Sequence, residues 1–339
     1  MKKTNKLIAL AIAGTLAAPF AAQAANLETY GQVRMSLNIA NNGDNGPGQE
    51  SSANGISSNS SRIGFKGSEK LDNDMTAIYQ AELDYSFDDA GTWAARDSFV
   101  GLKGDFGQVR AGNLSTPYKN ATASIDPFGD TPGDYNTIIR HDTRAPNAIE
   151  YSSKDRDGLS FQAAMIMSTS NDELPQSTAQ SDANGYSLAA SYSKDKLMGS
   201  LAIENLGGTA NDDKATKLGV LYSLDDKTKV GGVYEMIDDG LADNSTIYVS
   251  GTHKMDAKNT LKGAIGSRDS TSGASDGATF ITFGATHQYS KNVEVYALYA
   301  NVANDAGSSL GIKNAMASGI TDKTASSLSI GINMSFSSM

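Results

Sequence analysis

The chain has 339 residues, no cysteine, 19% charged residues, 39% hydrophobic residues and a formal net charge of −10. Zero Cys excludes disulfide frameworks, thiolate metal sites and thiol nucleophiles, and three scattered histidines (His141, His253, His287) leave little for a metal centre or a His-based triad. No apolar run reaches the ~18 residues that a helical membrane span needs, and an acidic chain is poorly suited to neutralising phosphates, so nucleic-acid binding is not expected.

At the N-terminus, Lys2, Lys3 and Lys6 precede an apolar stretch from Leu7 to Ala18 and a small-x-small site at Ala22-Gln23-Ala24. This order of regions predicts a signal peptide over residues 1–24, cut before Ala25, and export from the cytoplasm. Removing its three lysines and no acid takes the formal charge from −10 to −13 for residues 25–339.

The next segment places Leu27, Thr29, Gly31, Val33, Met35, Leu37 and Ile39 on one parity and Glu28, Tyr30, Gln32, Arg34, Ser36 and Asn38 on the other. A strand of this kind is half-buried in a soluble sheet or faces lipid on one side and water on the other. The pattern returns along the chain, through Met75 to Phe87, Leu159 to Met167, Tyr186 to Tyr192, Leu218 to Leu224 and Val293 to Tyr299. The clearest case is the last, where Leu328, Ile330, Ile332, Met334 and Phe336 alternate with Ser327, Ser329, Gly331, Asn333 and Ser335. With weaker segments the total is sixteen strand candidates.

Their connectors alternate in length. Lys70 to Asp74, Gly104-Asp105, Lys194 to Lys196 and Asp225 to Thr228 are short Asp/Asn/Lys/Gly turns, whereas Ala40 to Ser57, Leu114 to Pro146, Ser170 to Gly185 and Ala303 to Thr324 are long and polar. The expected fold is an all-β transmembrane antiparallel barrel of about 16 strands, a single domain over residues 25–339. The rival from another class is a secreted soluble β-rich adhesin or structural protein, but no fixed-period repeat and no midpoint linker favours it.

Ser61 to Glu69 (SRIGFKGSE), followed by Leu71, Ala77-Ile78-Tyr79-Gln80 and Glu82, resembles the general porins of Gram-negative outer membranes. Arg96 with Ser98 to Gly104, then Phe106-Gly107, Val109-Arg110, Gly112 and Thr116-Pro117, are similar to that family's fourth and fifth strands. Arg144, Asn147 and Ile149 to Ser152 resemble its sixth. The resemblance implies a sixteen-stranded homotrimeric diffusion channel of the outer membrane, with the third extracellular loop folded inward. That loop should be Leu114 to Pro146, which carries Asp126, Asp130, Asp134 and Asp142. The implied partners are outer-membrane lipid and lipopolysaccharide, periplasmic chaperones and the barrel-assembly machinery. Family members usually end on an aromatic residue read by that machinery, whereas Phe336 is followed here by Ser337-Ser338-Met339.

Arg34, Arg62 and Arg110 fall on the polar parity and would point into the lumen, joined by Arg96 and Arg144. A charge facing the lipid midplane costs about 2–4 kcal/mol in a barrel, so strand arginines belong on the water side whatever else they do. Opposite an Asp-rich loop they would form a pore constriction, a basic wall facing Asp126, Asp130 and Asp134, crossed by ions and small hydrophilic solutes. Glu82 and Asp84 share the lumen parity and could pair with the arginines, leaving the sign of selectivity open. The loop acids also read as plain turn residues at Asp126-Pro127 and Asp130-Thr131-Pro132-Gly133. Met165, Met167 and the tyrosines read as lipid-facing and girdle residues. A substrate-specific channel is the alternative within transport. No nucleophile elbow, phosphate-binding loop or zinc-helix motif occurs, and neither catalysis nor a cofactor is expected.

Overall fold

The computed structural model describes residues 27–43, 52–89, 91–167, 184–206, 214–238, 243–270 and 275–338. The expected signal segment, residues 1–24, lies outside them. Strands follow one another as β1 (Glu28–Asn41), β2 (Ser52–Ser58), β3 (Arg62–Lys70), β4 (Thr76–Tyr85), β5 (Trp93–Ala95), β6 (Ser98–Gly104), β7 (Gly107–Ser115), β8 (Arg144–Ser152) and β9 (Leu159–Ile166). They continue as β10 (Gly185–Lys194), β11 (Leu197–Asn205), β12 (Lys214–Ser223), β13 (Thr228–Asp238), β14 (Asp243–Lys254), β15 (Asn259–Arg268), β16 (Ala278–Ser290), β17 (Val293–Asn304) and β18 (Thr324–Ser337).

Each strand pairs antiparallel with its neighbours, and β18 returns to β1 from Tyr30↔Ser337 to Asn41↔Ser326, so the sheet closes. β2 and β3 lie end to end along β1, and β5 and β6 end to end along β4. Eighteen strands therefore make sixteen staves. Closure pairs the backbone groups that an open sheet edge would leave bare, which is what allows strands to cross a hydrocarbon layer.

The distribution of apolar residues is inside out relative to a soluble protein. Ile330 is 62% exposed while its neighbour Ser329 is fully buried, and Ile39 and Leu37 point outward beside buried Asn38 and Ser36. Outward apolar and inward polar side chains alternate around the wall, as lipid outside and water inside require. The short turns are tightened by aspartates: Asp225 accepts from the N–H groups of Lys227 and Thr228, and Asp256 from those of Lys258 and Asn259.

Two expectations need correction. The segment 52–57, placed in a loop by its sequence, belongs to β2, a strand that extends the wall along Met35 to Asn41 of β1. The composition of that strand, SANGISS, has no apolar alternation to detect, and beside the ladder the pairing is held by the Asn38 amide, which donates to the Ser57 hydroxyl at 2.8 Å. The tyrosines also divide. Tyr186, Tyr192 and Tyr222 face outward, but Tyr118, Tyr135, Tyr248 and Tyr296 are buried in the interior, where an inward loop covers them.

A candidate eyelet between loop 3 and the barrel wall

Loop 3 is the 28-residue connector between Ser115, the last residue of β7, and Arg144, the first of β8, residues 116–143. It begins where the β7–β8 register slips between Gly112 and Leu114. The Thr116 hydroxyl accepts from the Lys119 N–H at 3.2 Å and Pro117 takes the first turn, which starts α1 (Pro117–Ala121). The chain then runs inward rather than out into solvent. Ile125, Phe128, Tyr135, Ile138 and Ile139 are each at most 4% exposed and share a buried cluster with Val233, Tyr248, Phe280 and Leu298 of the wall. Loop 3 thus turns an otherwise wet stretch of lumen into a small apolar core.

Two wall glycines receive it. A Cβ at Gly219 would lie 2.6 Å from the Thr122 methyl, and one at Gly231 would lie 2.7 Å from Ile125 Cγ2. Beside this notch, Lys217 of β12 and Glu235 of β13 are direct cross-strand partners, both fully buried, with Nζ 3.5 Å from Oε1. The Tyr118 hydroxyl donates to Glu235 at 3.1 Å, the Arg140 N–H donates to its other oxygen at 2.9 Å, and the Lys217 ammonium sits 4.1 Å from the centre of the Tyr118 ring. His141 Nδ1 lies 3.2 Å from Glu204 of β11. Charges buried this deeply persist only with such partners. Here the partners are the two ends of loop 3.

The middle of the loop is folded by its own acids. Asp126 accepts from the N–H groups of Phe128 and Tyr135 and from the Tyr248 hydroxyl at 3.0 Å. Asp134 accepts from the N–H groups of Asp130 and Asn136, each at 2.8 Å. Burial, with Asp134 as a second cause, pushes the Asp126 carboxyl up to about 7. Burial pushes Asp134 up to about 6, against the pull of its N–H donors. Asp130 stands at the tip in the left-handed region, φ 56°. It is half-buried, and the loss of solvent alone would raise its pKa, yet Arg62 and Arg34 hold it below the usual carboxylate range.

Asp130 accepts from Arg34 of β1 and Arg62 of β3 through one carboxylate oxygen. Arg96, in the break between β5 and β6, donates to Glu82 at 2.6 Å and Asp84 at 3.2 Å, and Glu82 also accepts from the Tyr30 hydroxyl. Arg144 donates to Asp97 at 2.5 Å, and Lys119 pairs with Asp142 at 3.0 Å. These groups, Asp84 and Tyr30 excepted, line an open space of about 410 Å³ between loop and wall. The structure therefore brings together Arg34, Arg62, Arg96 and Arg144 with Glu82, Asp126, Asp130 and Asp134. It places Arg110 apart, against Glu150 at 2.6 Å and over the Phe99 ring. Strand parity sets which face a side chain takes but not its height, and Arg110 sits three residues from the Gly107 turn. Phe336 lies on the outer face at 46% exposure, over Gly31 of β1, and the chain continues far enough for the Ser338 N–H to donate to the Thr29 carbonyl at 2.7 Å.

Asp97, Lys119, Lys217, Glu204 and Glu235 were not singled out from sequence. The signal for the last three was their parity: each stands opposite outward apolar neighbours, such as Leu218 beside Lys217 and Tyr234 and Met236 flanking Glu235.

Comparison with known proteins decides the family. The family model of the Gram-negative porin matches residues 8–307. The chain belongs to that family. Major outer membrane protein P.IB of Neisseria sicca is 42% identical over 134 residues, 38% of this chain and 35% of that protein. P.IB of Neisseria meningitidis serogroup B is 39% identical over 170 residues, 47% of this chain and 48% of that protein. The matches thus span about half the length of these relatives or less. An anion-selective porin from Comamonas acidovorans superposes with a TM-score of 0.77 at 22% identity, covering 91% of this chain and 99% of its own. Salmonella typhi OmpF superposes at 0.70 with 19% identity, covering 92% and 98%. The sixteen-stave barrel is thus the porin fold, the chain is an outer-membrane protein, and the soluble β-rich reading is set aside.

Proposed function

We propose that this porin forms a passive, water-filled channel for ions and small hydrophilic solutes, and that its constriction lies between the Arg34, Arg62, Arg96 and Arg144 wall and loop 3. The observation that carries this is Asp130, held from the interior by Arg34 and Arg62 on two neighbouring staves. Guanidinium groups on one side and carboxylates on the other make a transverse field across the remaining space. Such a field orients dipolar solutes and disfavours bulky apolar ones, while hydrated ions pass. No bond is made or broken.

The channel is proposed to act as a homotrimer in the outer membrane, bordered by lipid and lipopolysaccharide, after export by the N-terminal segment and insertion through the barrel-assembly machinery with Phe336 on its terminal strand. One Vibrio cholerae OmpT structure of similar fold is a trimer form, which supports the assembly.

The test is to extract the protein in mild detergent, compare boiled and unboiled samples on a gel, and reconstitute the unboiled species in a planar bilayer. A heat-modifiable oligomer that opens in three equal conductance steps is expected. A heat-insensitive species that opens no channel would overturn the proposal.

A further inference from the structure

We propose that the last extracellular loop, residues 305–323, is a second arm of the eyelet: it clamps loop 3 from the outside and presents Lys313 as a selectivity residue above it. This rests on the constriction reading and extends it to a part of the chain that the family resemblance leaves unassigned.

The loop is long and polar in sequence, yet it does not stand away from the barrel. Ile312 and Ala317 are 3% and 2% exposed and belong to the same buried cluster as Phe128, Tyr135, Ile138 and Ile139 of loop 3. The Ile312 N–H donates to the Ala317 carbonyl at 2.9 Å, closing a compact bend, with Asn314 within it in the left-handed region at φ 54°. From that bend two hydrogen bonds reach loop 3: the Lys313 N–H to Thr137 Oγ1 at 3.3 Å and Asn314 Nδ2 to the Thr131 carbonyl at 3.4 Å. On the other side the Met316 sulfur occupies the space a Cβ would need at Gly55 of β2, 2.1 Å from that position. The bend is therefore wedged between wall and loop 3.

Its geometry also sets a charge. The Lys313 backbone is fixed by Thr137 while its side chain is exposed, and its ammonium is within electrostatic reach of Asp134. A cation held above the loop 3 acids would act on ions before they meet the arginines.

The experiment uses full-length protein reconstituted in planar bilayers, with Arg62→Ala as the reference for the constriction itself. Lys313→Glu is expected to shift the reversal potential toward cations by about twofold in permeability ratio, with single-channel conductance near wild type. Ile312→Asp puts a charge into the buried contact, and is expected to raise conductance and speed uptake of a disaccharide into liposomes. Because that variant tests packing and could fail to fold, Thr137→Cys with Lys313→Cys provides a second measurement in a chain that has no other cysteine. Oxidation should cross-link the two loops and leave conductance at the wild-type level. If Arg62→Ala shifts selectivity while Lys313→Glu does not, and the cysteines fail to join or their joining reduces conductance, the clamp is overturned and the constriction stands. If Arg62→Ala also has no effect, the constriction reading fails as well.

Discussion

Arg62 on the barrel wall and Asp130 on loop 3 share a hydrogen bond across the lumen, although 68 residues separate them in the chain. The same Asp130 oxygen accepts from Arg34. One carboxylate between two guanidinium groups fixes where the loop tip stands, and in the proposed constriction that position sets the width of the passage.

The tip is held only as firmly as the two ends of the loop. Lys217→Met leaves Glu235 buried without its cation and Tyr118 without its stacked ammonium, and removing one partner of a buried pair costs about 3–5 kcal/mol. The temperature at which the folded protein unfolds on a gel should fall, and open-channel current noise should rise as loop 3 loosens. Lys217→Met combined with Glu235→Gln should recover much of the lost thermal stability, since no unpaired charge is then left at that pair.

The glycine notch gives a steric test. Gly231→Ala introduces a methyl 2.7 Å from Ile125 Cγ2, whereas at Gly232, one residue on, the nearest atom is 3.7 Å away. Gly231→Ala should push loop 3 into the passage and lower single-channel conductance. Gly232→Ala should leave it unchanged, and equal conductance in both variants would show that Ile125 does not seat there.

The loop acids predict a pH dependence. Burial raises Asp126 and Asp134 above the value of an exposed aspartate, so the folded state holds their protons more tightly than the unfolded chain. Their contribution to stability is fully present below about 4 and is lost as pH rises through about 6 to 7. Over the same window the loop gains negative charge beside Asp130, Lys313 and the Tyr248 hydroxyl. Cation preference should therefore increase from pH 5 to pH 8, and Asp126→Asn should flatten that rise, as reversal potentials across a salt gradient would show.

Much of the barrel was legible because alternation is a local property. Lipid on one side and water on the other impose period two on each stave, and Leu328 to Phe336 or Leu218 to Leu224 carry it without reference to the rest of the chain. The segment 52–57 escaped because its small and polar residues carry only one large apolar side chain, Ile56, and so no lipid-facing pattern. The inward faces of Arg34 and Arg62 followed from parity. Their meeting with Asp130, and the separate height of Arg110, depended on stagger between staves, which no single strand encodes. Tyr248 and Phe280 were the hardest to foresee. They are apolar bodies on the water side, made stable by a loop from elsewhere in the chain, so their local sequence points to the wrong solvent.

The most direct test of the eyelet compares reversal potentials of reconstituted wild type, Arg62→Ala and Asp130→Asn under the same salt gradient. Each variant removes one charge from the Arg34–Asp130–Arg62 cluster of the proposed constriction. Arg62→Ala should move selectivity toward cations and Asp130→Asn toward anions, each by roughly threefold in permeability ratio, the equivalent of about 0.7 kcal/mol and smaller at high salt. Folded, channel-forming variants that both keep the wild-type reversal potential, or that both move in the same direction, would contradict a constriction formed between these two residues.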